Sequence, residues 1–146
     1  ARRSVPSIID ESVEGDLGDV DVLAVSPDGA TLWVLEAKSL RLCRTEIEAA
    51  ARLTEYGGKM RTDSRGKERP DKLLRHTTRV QFLRGRAERA ARVLGLAVTP
   101  EVRGLVVVDA PQPMNFRPSE GLQDAEFCML RELPALVRGQ RSGRAA

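Results

Sequence analysis

Gly18-Asp19-Val20-Asp21-Val22-Leu23-Ala24-Val25, then Pro27-Asp28-Gly29, then Thr31-Leu32-Trp33-Val34-Leu35-Glu36-Ala37-Lys38-Ser39 read as two strands joined by a turn. Both runs are rich in Val and Leu, and Pro-Asp-Gly between them is a strong turn signal, so they are expected to form an antiparallel hairpin. Side chains alternate along a strand. Asp19, Asp21, Leu23 and Val25 therefore share one face of the first strand, opposite Val20, Val22 and Ala24. In the second strand Leu32, Val34, Glu36 and Lys38 lie opposite Trp33, Leu35 and Ala37. Both faces are apolar, which calls for helices on both sides of the sheet.

Closing the loop between Ser26 and Thr31 sets Val25 against Leu32, Leu23 against Val34, Asp21 against Glu36 and Asp19 against Lys38. Directly opposed side chains have Cβ atoms about 4.5–5.5 Å apart. A register one residue away would send Asp21 and Glu36 to opposite faces, and the apolar pattern alone permits either. The first register has chemical consequences. Two facing carboxylates repel and are costly to ionise when partly buried. A hard divalent cation relieves that cost, binding one or two carboxylates while keeping waters for a substrate phosphate. The metal lowers the pKa of its bound water, and a lysine two residues along the same face can position that water and stabilise developing charge. Such a set suits phosphodiester hydrolysis. The plain alternative is a solvated strand end with a cross-strand ion pair.

The same residues carry a resemblance. Gly18 to Val25, the short hairpin, and Leu35-Glu36-Ala37-Lys38-Ser39 are similar to the PD-(D/E)XK nucleases, including their Holliday-junction-resolvase and restriction-endonuclease-like members. The resemblance implies that Asp21 and Glu36 bind metal, with the carbonyl of Ala37 as a further ligand, and that Lys38 serves the attacking water. Asp19 is the runner-up for the first acid. The match covers residues 18–39. Glu-x-Lys alone is weak; the preceding acidic strand and the hairpin give it its specificity. The family core begins with a helix, and the chain leaves little room for one before Val5, with Glu11 and Glu14 as poor substitutes for its acid. Some members have Gln four residues before a Tyr; here Arg52 precedes Tyr56, which is expected to be a core tyrosine.

Outward from this hairpin, Val5 to Ile9 reads as a weak first strand interrupted by Pro6, and Gly15 to Gly18 as a loop. Thr45-Glu46-Ile47-Glu48 has capping-box spacing and opens a helix with Ile47, Ala50, Ala51 and Leu53 as its stripe, stopped by Gly57-Gly58. Residues 59–69 read as a polar, basic loop. Pro70 then starts one long helix to about Leu94, with Leu73, Val80, Leu83, Ala87, Ala90 and Leu94 inward. Leu105 to Val108 is a strand buried on both faces. Glu126 to Leu130 is a last strand, followed by a short helix to Val137. The fold class is α/β: a mixed central sheet flanked by helices. The resemblance implies a restriction-endonuclease-like core (αβββαβ) over residues 1–138 with its first helix missing, and residues 139–146 are expected to be a disordered tail.

At 146 residues the chain suffices for one domain. It opens in Ala1-Arg2-Arg3 without an initiator Met and reads as a piece of something longer. No apolar run approaches the roughly 20 residues of a membrane span and no signal peptide is visible, so a cytoplasmic location is expected. Cys43 and Cys128 are expected to be buried thiols, and the single histidine, His76, excludes a multi-histidine metal site within the chain. Charge is segregated: two arginines face eight acids over residues 1–36, and twelve Lys/Arg face four acids over residues 57–92. That split points to cation binding in one place and polyanion binding in another. Candidate phosphate contacts are Lys59, Arg61, Arg65, Lys67 and Arg69 on the loop and Lys72, Arg75 and Arg79 on the helix, a stripe continued by Arg86 and Arg89. A solvated helix face explains the helical half about as well. His76 reads as a packing or surface residue and Trp33 as core; five aromatics in all argue against a base-stacking platform. The functional expectation is Mg²⁺-dependent cleavage of DNA, with Mn²⁺ as substitute and with RNA and a homodimer left open. The rivals are a nuclease-fold module that holds DNA without cutting it, and a plain α/β domain whose basic helix binds protein.

Overall fold

The computed structural model describes residues 3–10, 12, 17–116 and 124–138. The tail expected over 139–146, and Glu11 and Glu14, lie outside them. Strand β1 (Arg3–Ser4) leads into a short helix, α1 (Val5–Ile9), and pairs antiparallel with β2 (Asp19–Val20). The chain bends at Asp21 into β3 (Val22–Val25), turns, and returns as β4 (Thr31–Lys38). Helix α2 (Glu46–Glu55) is followed by a hairpin of β5 (Met60–Thr62) and β6 (Glu68–Pro70). Helices α3 (Lys72–Arg84) and α4 (Ala87–Leu94) precede β7 (Glu101–Val108), β8 (Ala125–Met129) and a last helix, α5 (Leu133–Val137).

The central sheet runs β3-β4-β7-β8, with β3 antiparallel to β4 and the other pairs parallel. It is a mixed four-stranded sheet flanked by helices. The expected hairpin register is observed only over Val22–Val25, where Val25 pairs with Leu32 and Leu23 with Val34. The expected Asp21–Glu36 and Asp19–Lys38 pairs do not form, because the chain bends at Asp21 and Asp19 pairs with Ser4 instead. The turn supports it locally. Ser26 N–H donates to the Thr31 carbonyl (2.9 Å), the Asp28 carboxylate accepts from Ser26 Oγ and Ala30 N–H, and Gly29 takes φ 73°. Burial follows the strand alternation. Leu32 and Val34 pack with Val80, Leu83 and Ala90 of the paired helices and with Val5, Ile8 and Ile9. Trp33 and Leu35 pack on the other face with Leu105, Val107 and Cys128, against Leu133, Leu136 and Val137 of α5. A third cluster joins Tyr56, Leu73, Val106, Met114 and Ala125. Cys43 and Cys128 are free; Cys128 is buried and Cys43 half-buried.

Four further local expectations are corrected. Val5 to Ile9 is a helix, and a short first helix therefore stands where none was expected. Val5, Ile8 and Ile9 have helical spacing and are all fully buried, while Pro6 lies in the first turn, where a backbone N–H has no helical acceptor anyway. Residues 59–69 form the β5–β6 hairpin rather than a loop. The Asp63 carboxylate accepts from the N–H groups of Arg65 and Lys67, and Gly66 supplies the positive φ of the turn. The single long helix is two. Pro70 ends β6, Asp71 caps α3 by accepting from Leu74 N–H, Gly85 closes that helix, and Arg86 (φ −127°) is out of helical conformation before α4 begins. Finally, α2 has no fully buried residue; Ile47 is 83% exposed, and the inward side is Ala49, Arg52 and Leu53, leading to Tyr56. Among the described residues no helix is long and apolar enough to cross a membrane.

Candidate functional site

Glu36 follows Leu32 and Val34 on the face of β4 that α3 covers, so its carboxylate ends a row of apolar residues beneath a helix. Its side chain is 13% exposed. Burial of this kind is costly for an anion unless cations or donors meet it. Two cations do. Lys38 Nζ lies 2.6 Å from Oε1, and Arg79 Nη1 lies 2.8 Å from Oε2. Burial pushes the Glu36 carboxyl up, but the Lys38 hydrogen bond and the charge and hydrogen bond of Arg79 outweigh it, and the pKa lies below the ordinary value. Glu36 is therefore ionised at neutral pH.

Asp21, at the bend between β2 and β3, reaches the backbone of this same segment. The regular β3–β4 ladder ends at the Val22–Leu35 pair, and the bend at Asp21 frees its carboxylate to accept the N–H of Ala37 at 3.0 Å. One acid thus binds the amide between the other acid and the lysine. Asp19, the alternative first acid, is exposed, and its main-chain carbonyl accepts from Arg79 Nη1 at 2.7 Å. The same guanidinium nitrogen therefore ties the β2 backbone to Glu36.

His76 completes the inner wall. It is fully buried, its Nδ1 is 4.0 Å from Glu36 Oε2, and neither ring nitrogen has a hydrogen-bond partner among the described residues. Burial pushes the imidazole down to about 4, with Glu36 pulling up and Arg79 pushing down. The ring is neutral at neutral pH, so its approach to Glu36 is a contact and not an ion pair.

A hard divalent cation fits two carboxylates and a carbonyl better than it fits nitrogen or sulfur donors. Among the described residues no three His, Cys, Asp or Glu side chains gather as a metal cage. The oxygen donors expected from the sequence are Asp21, Glu36 and the Ala37 carbonyl, of which Asp21 already accepts the N–H of Ala37. Glu36 would have to share its oxygens with Lys38 and Arg79 or be released by them.

Residues 2–133 match the model of the family described as Anti-phage protein Upx-like. The chain belongs to that family. Comparison with curated proteins and with solved structures gave no match. The matched span of this Upx-like chain includes every residue of the site.

The basic residues divide sharply. Lys59, Arg61, Arg65, Lys67 and Arg69 are all exposed on or beside the β5–β6 hairpin, where Arg69 pairs with Asp63. Lys72 and Arg75 are exposed at the start of α3, with Lys72 3.0 Å from Glu55. Arg79 does not belong with them: it is 5% exposed and engaged by Glu36 and Asp19. Farther on, Arg86 stacks over Phe82 and Arg89 donates to the carbonyls of Ile9 and Asp10. The break at Gly85 scatters the supposed stripe. The sequence contained a signal for His76 in the site wall, since Leu73, His76, Val80 and Leu83 have one-face spacing. Arg79 flanks that face, and only the docking of α3 over β4 reveals its partner.

Proposed function

We propose that this Upx-like chain is a divalent-metal-dependent nuclease domain of the PD-(D/E)XK type that hydrolyses DNA phosphodiesters, and that its role is defence against phage. The observation that carries the reading is the hydrogen bond from Ala37 N–H to Asp21. It brings the Asp21 carboxylate to the main chain between Glu36 and Lys38, and Lys38 is itself paired with Glu36. Asp21, Glu36 and the Ala37 carbonyl would hold Mg²⁺, with Mn²⁺ as a substitute. When bound, the metal supplies charge neutralisation and a more acidic water. Lys38, 32% exposed, holds a proton-bearing ammonium where it can orient a water and meet charge developing on a phosphate. Arg79 and His76 shape the buried side and exclude solvent from it. The exposed cations of the β5–β6 hairpin suit backbone phosphates, which gives affinity without sequence preference. An anti-phage family is consistent with invading DNA as the substrate.

The non-cleaving DNA-binding module stands as a second reading because Glu36 is already met by two cations, which offsets its need for a metal. The two readings separate experimentally. Under the first, Mg²⁺ raises the melting temperature of the protein and supports plasmid nicking. Lys38→Ala should abolish nicking while keeping the metal shift, and Asp21→Asn should lose both, since a neutral amide is a poorer ligand for a hard cation. Asp19→Asn should do much less. A parent protein with neither nicking nor a metal shift would install the second reading; nicking by Lys38→Ala at the parental rate would remove Lys38 from the mechanism.

A further inference from the structure

Three residues beyond Lys38, the loop into α2 opens a cavity of about 590 Å³ lined by Arg41, Leu42, Cys43, Arg44, Glu48 and Arg52. None of Asp21, Glu36 or Lys38 lines it. A second cavity of about 470 Å³ shares Leu42, Cys43 and Arg44 and is otherwise largely apolar, with Phe116 on its wall. Leu42 is 59% and Phe116 77% exposed. We propose that this pair of cavities is a nucleotide site, with a phosphate among Arg41, Arg44 and Arg52 and the base against Leu42 and Phe116.

Charge carries the first half. In the first cavity three guanidiniums face one carboxylate, Glu48, which is already engaged at 2.6 Å by the main-chain N–H of Arg44; the second cavity adds the carboxylate of Glu46. Among the described residues the side chains of Arg41 and Arg44 have no ion-pair or hydrogen-bond partner. Arg52 is 3.4 Å from Glu55, and its Nε is buried without a hydrogen-bond partner. Guanidinium forks match phosphate oxygens in geometry as well as charge. A set of merely solvated arginines would lie on a convex surface; these line a concavity.

Size and place carry the second half. A phosphate alone underfills the space, whereas a nucleotide matches a pocket in the range of about 300–1,000 Å³ typical of small-molecule sites. The site also lies beyond the carboxyl end of β4, which is parallel to its neighbour β7, the side of an α/β sheet where ligands are generally bound. The phosphate could come from a free nucleotide or from a nucleotide of a nucleic acid strand, and these sources are separable.

The test uses the full chain in EDTA, so that it does not depend on cleavage. Fluorescence anisotropy follows a fluorescent AMP analogue and, separately, a short fluorescein-labelled single-stranded DNA, with AMP and adenosine as competitors. Arg41→Gln combined with Arg44→Gln changes exposed side chains without partners and should leave the fold intact by circular dichroism. AMP should compete and adenosine should not, and the double variant should bind at least about tenfold more weakly, as expected for losing charge-assisted bonds. Loss of AMP binding alone assigns the site to free nucleotide. Loss of DNA binding, with or without AMP, assigns it to the strand. Competition by adenosine equal to AMP, or a double variant that binds both probes like the parent, overturns the proposal. Nicking of plasmid by that same variant would leave the nuclease reading standing whichever way the pocket is decided.

Discussion

His76 lies on the inward side of α3, 4.0 Å from Glu36, with its pKa pushed down to about 4 by burial. Glu36 and Asp21 pull that pKa up, while Arg79 and Lys38 push it down. In the unfolded chain the ring titrates near 6.5. The unfolded state therefore binds the proton first as pH falls. The stability that a neutral, buried His76 contributes is fully present above 6.5 and is lost progressively down to about 4. Glu36, also held below its ordinary value, adds its own loss only as pH falls below 4.5. In EDTA the unfolding free energy from urea titration should decline between pH 6.5 and 4.5 with a slope of up to about 1.4 kcal/mol per pH unit. His76→Leu should flatten that decline; a parent no steeper than the variant would mean that the ring is charged when folded. Leu73, Val80 and Leu83 made the burial of His76 legible from spacing. Its neighbour Glu36 was not legible, because forty residues separate them and only helix docking joins them.

At the scale of elements, the approach of α3 to β7 is set by Gly104. A Cβ there would stand 2.7 Å from Val80 Cγ2 and 3.2 Å from His76 Nε2, and closer still to the Asp124 carbonyl. The helix that presents His76 and Arg79 to Glu36 thus rests on a strand backbone without a side chain between them. Gly104→Ala should cost about 1–3 kcal/mol of stability by overpacking, measured by urea unfolding. It should also reduce nicking in the folded fraction, because α3 cannot shift without moving Arg79 from Glu36. Full stability in the variant would mean that the neighbouring atoms give way at no cost. The β3–β4 hairpin was readable because turn chemistry and alternation agree over consecutive residues. The order β3-β4-β7-β8 was not, since pairing between β4 and β7 joins residues about seventy apart in sequence. The split between α3 and α4 was marked by Gly85, but a continuous apolar period on either side of it masked the break.

Across the whole molecule, acidic and basic segments become different places: carboxylates at the end of the β3–β4 hairpin, cations on the projecting β5–β6 hairpin. Changing Arg61, Arg65 and Lys67 together to Gln should weaken binding to unrelated DNA sequences equally. The slope of log affinity against log salt should fall by up to about 0.9 for each duplex phosphate that the altered hairpin no longer neutralises. Unchanged binding at low salt would show that the hairpin is solvated surface. Charge segregation was visible in the sequence; which cations stay outside was not. Arg75 and Arg79 differ by one helical turn, yet one is exposed and the other is the counter-ion of Glu36.

The bend at Asp21 also governs how the chain behaves towards its own copies. β3 is the outer strand of the sheet, and it is only four residues long because the backbone leaves the ladder at Asp21 and pairs instead with β1. A straight run from Asp19 to Val25 would expose a longer, Val-rich edge with unpaired N–H and C=O groups, a template for another chain. The residue that positions a carboxylate at Ala37 therefore also keeps that edge short and ends it in a charge, so the proposed chemistry and resistance to edge-to-edge aggregation draw on one change of direction.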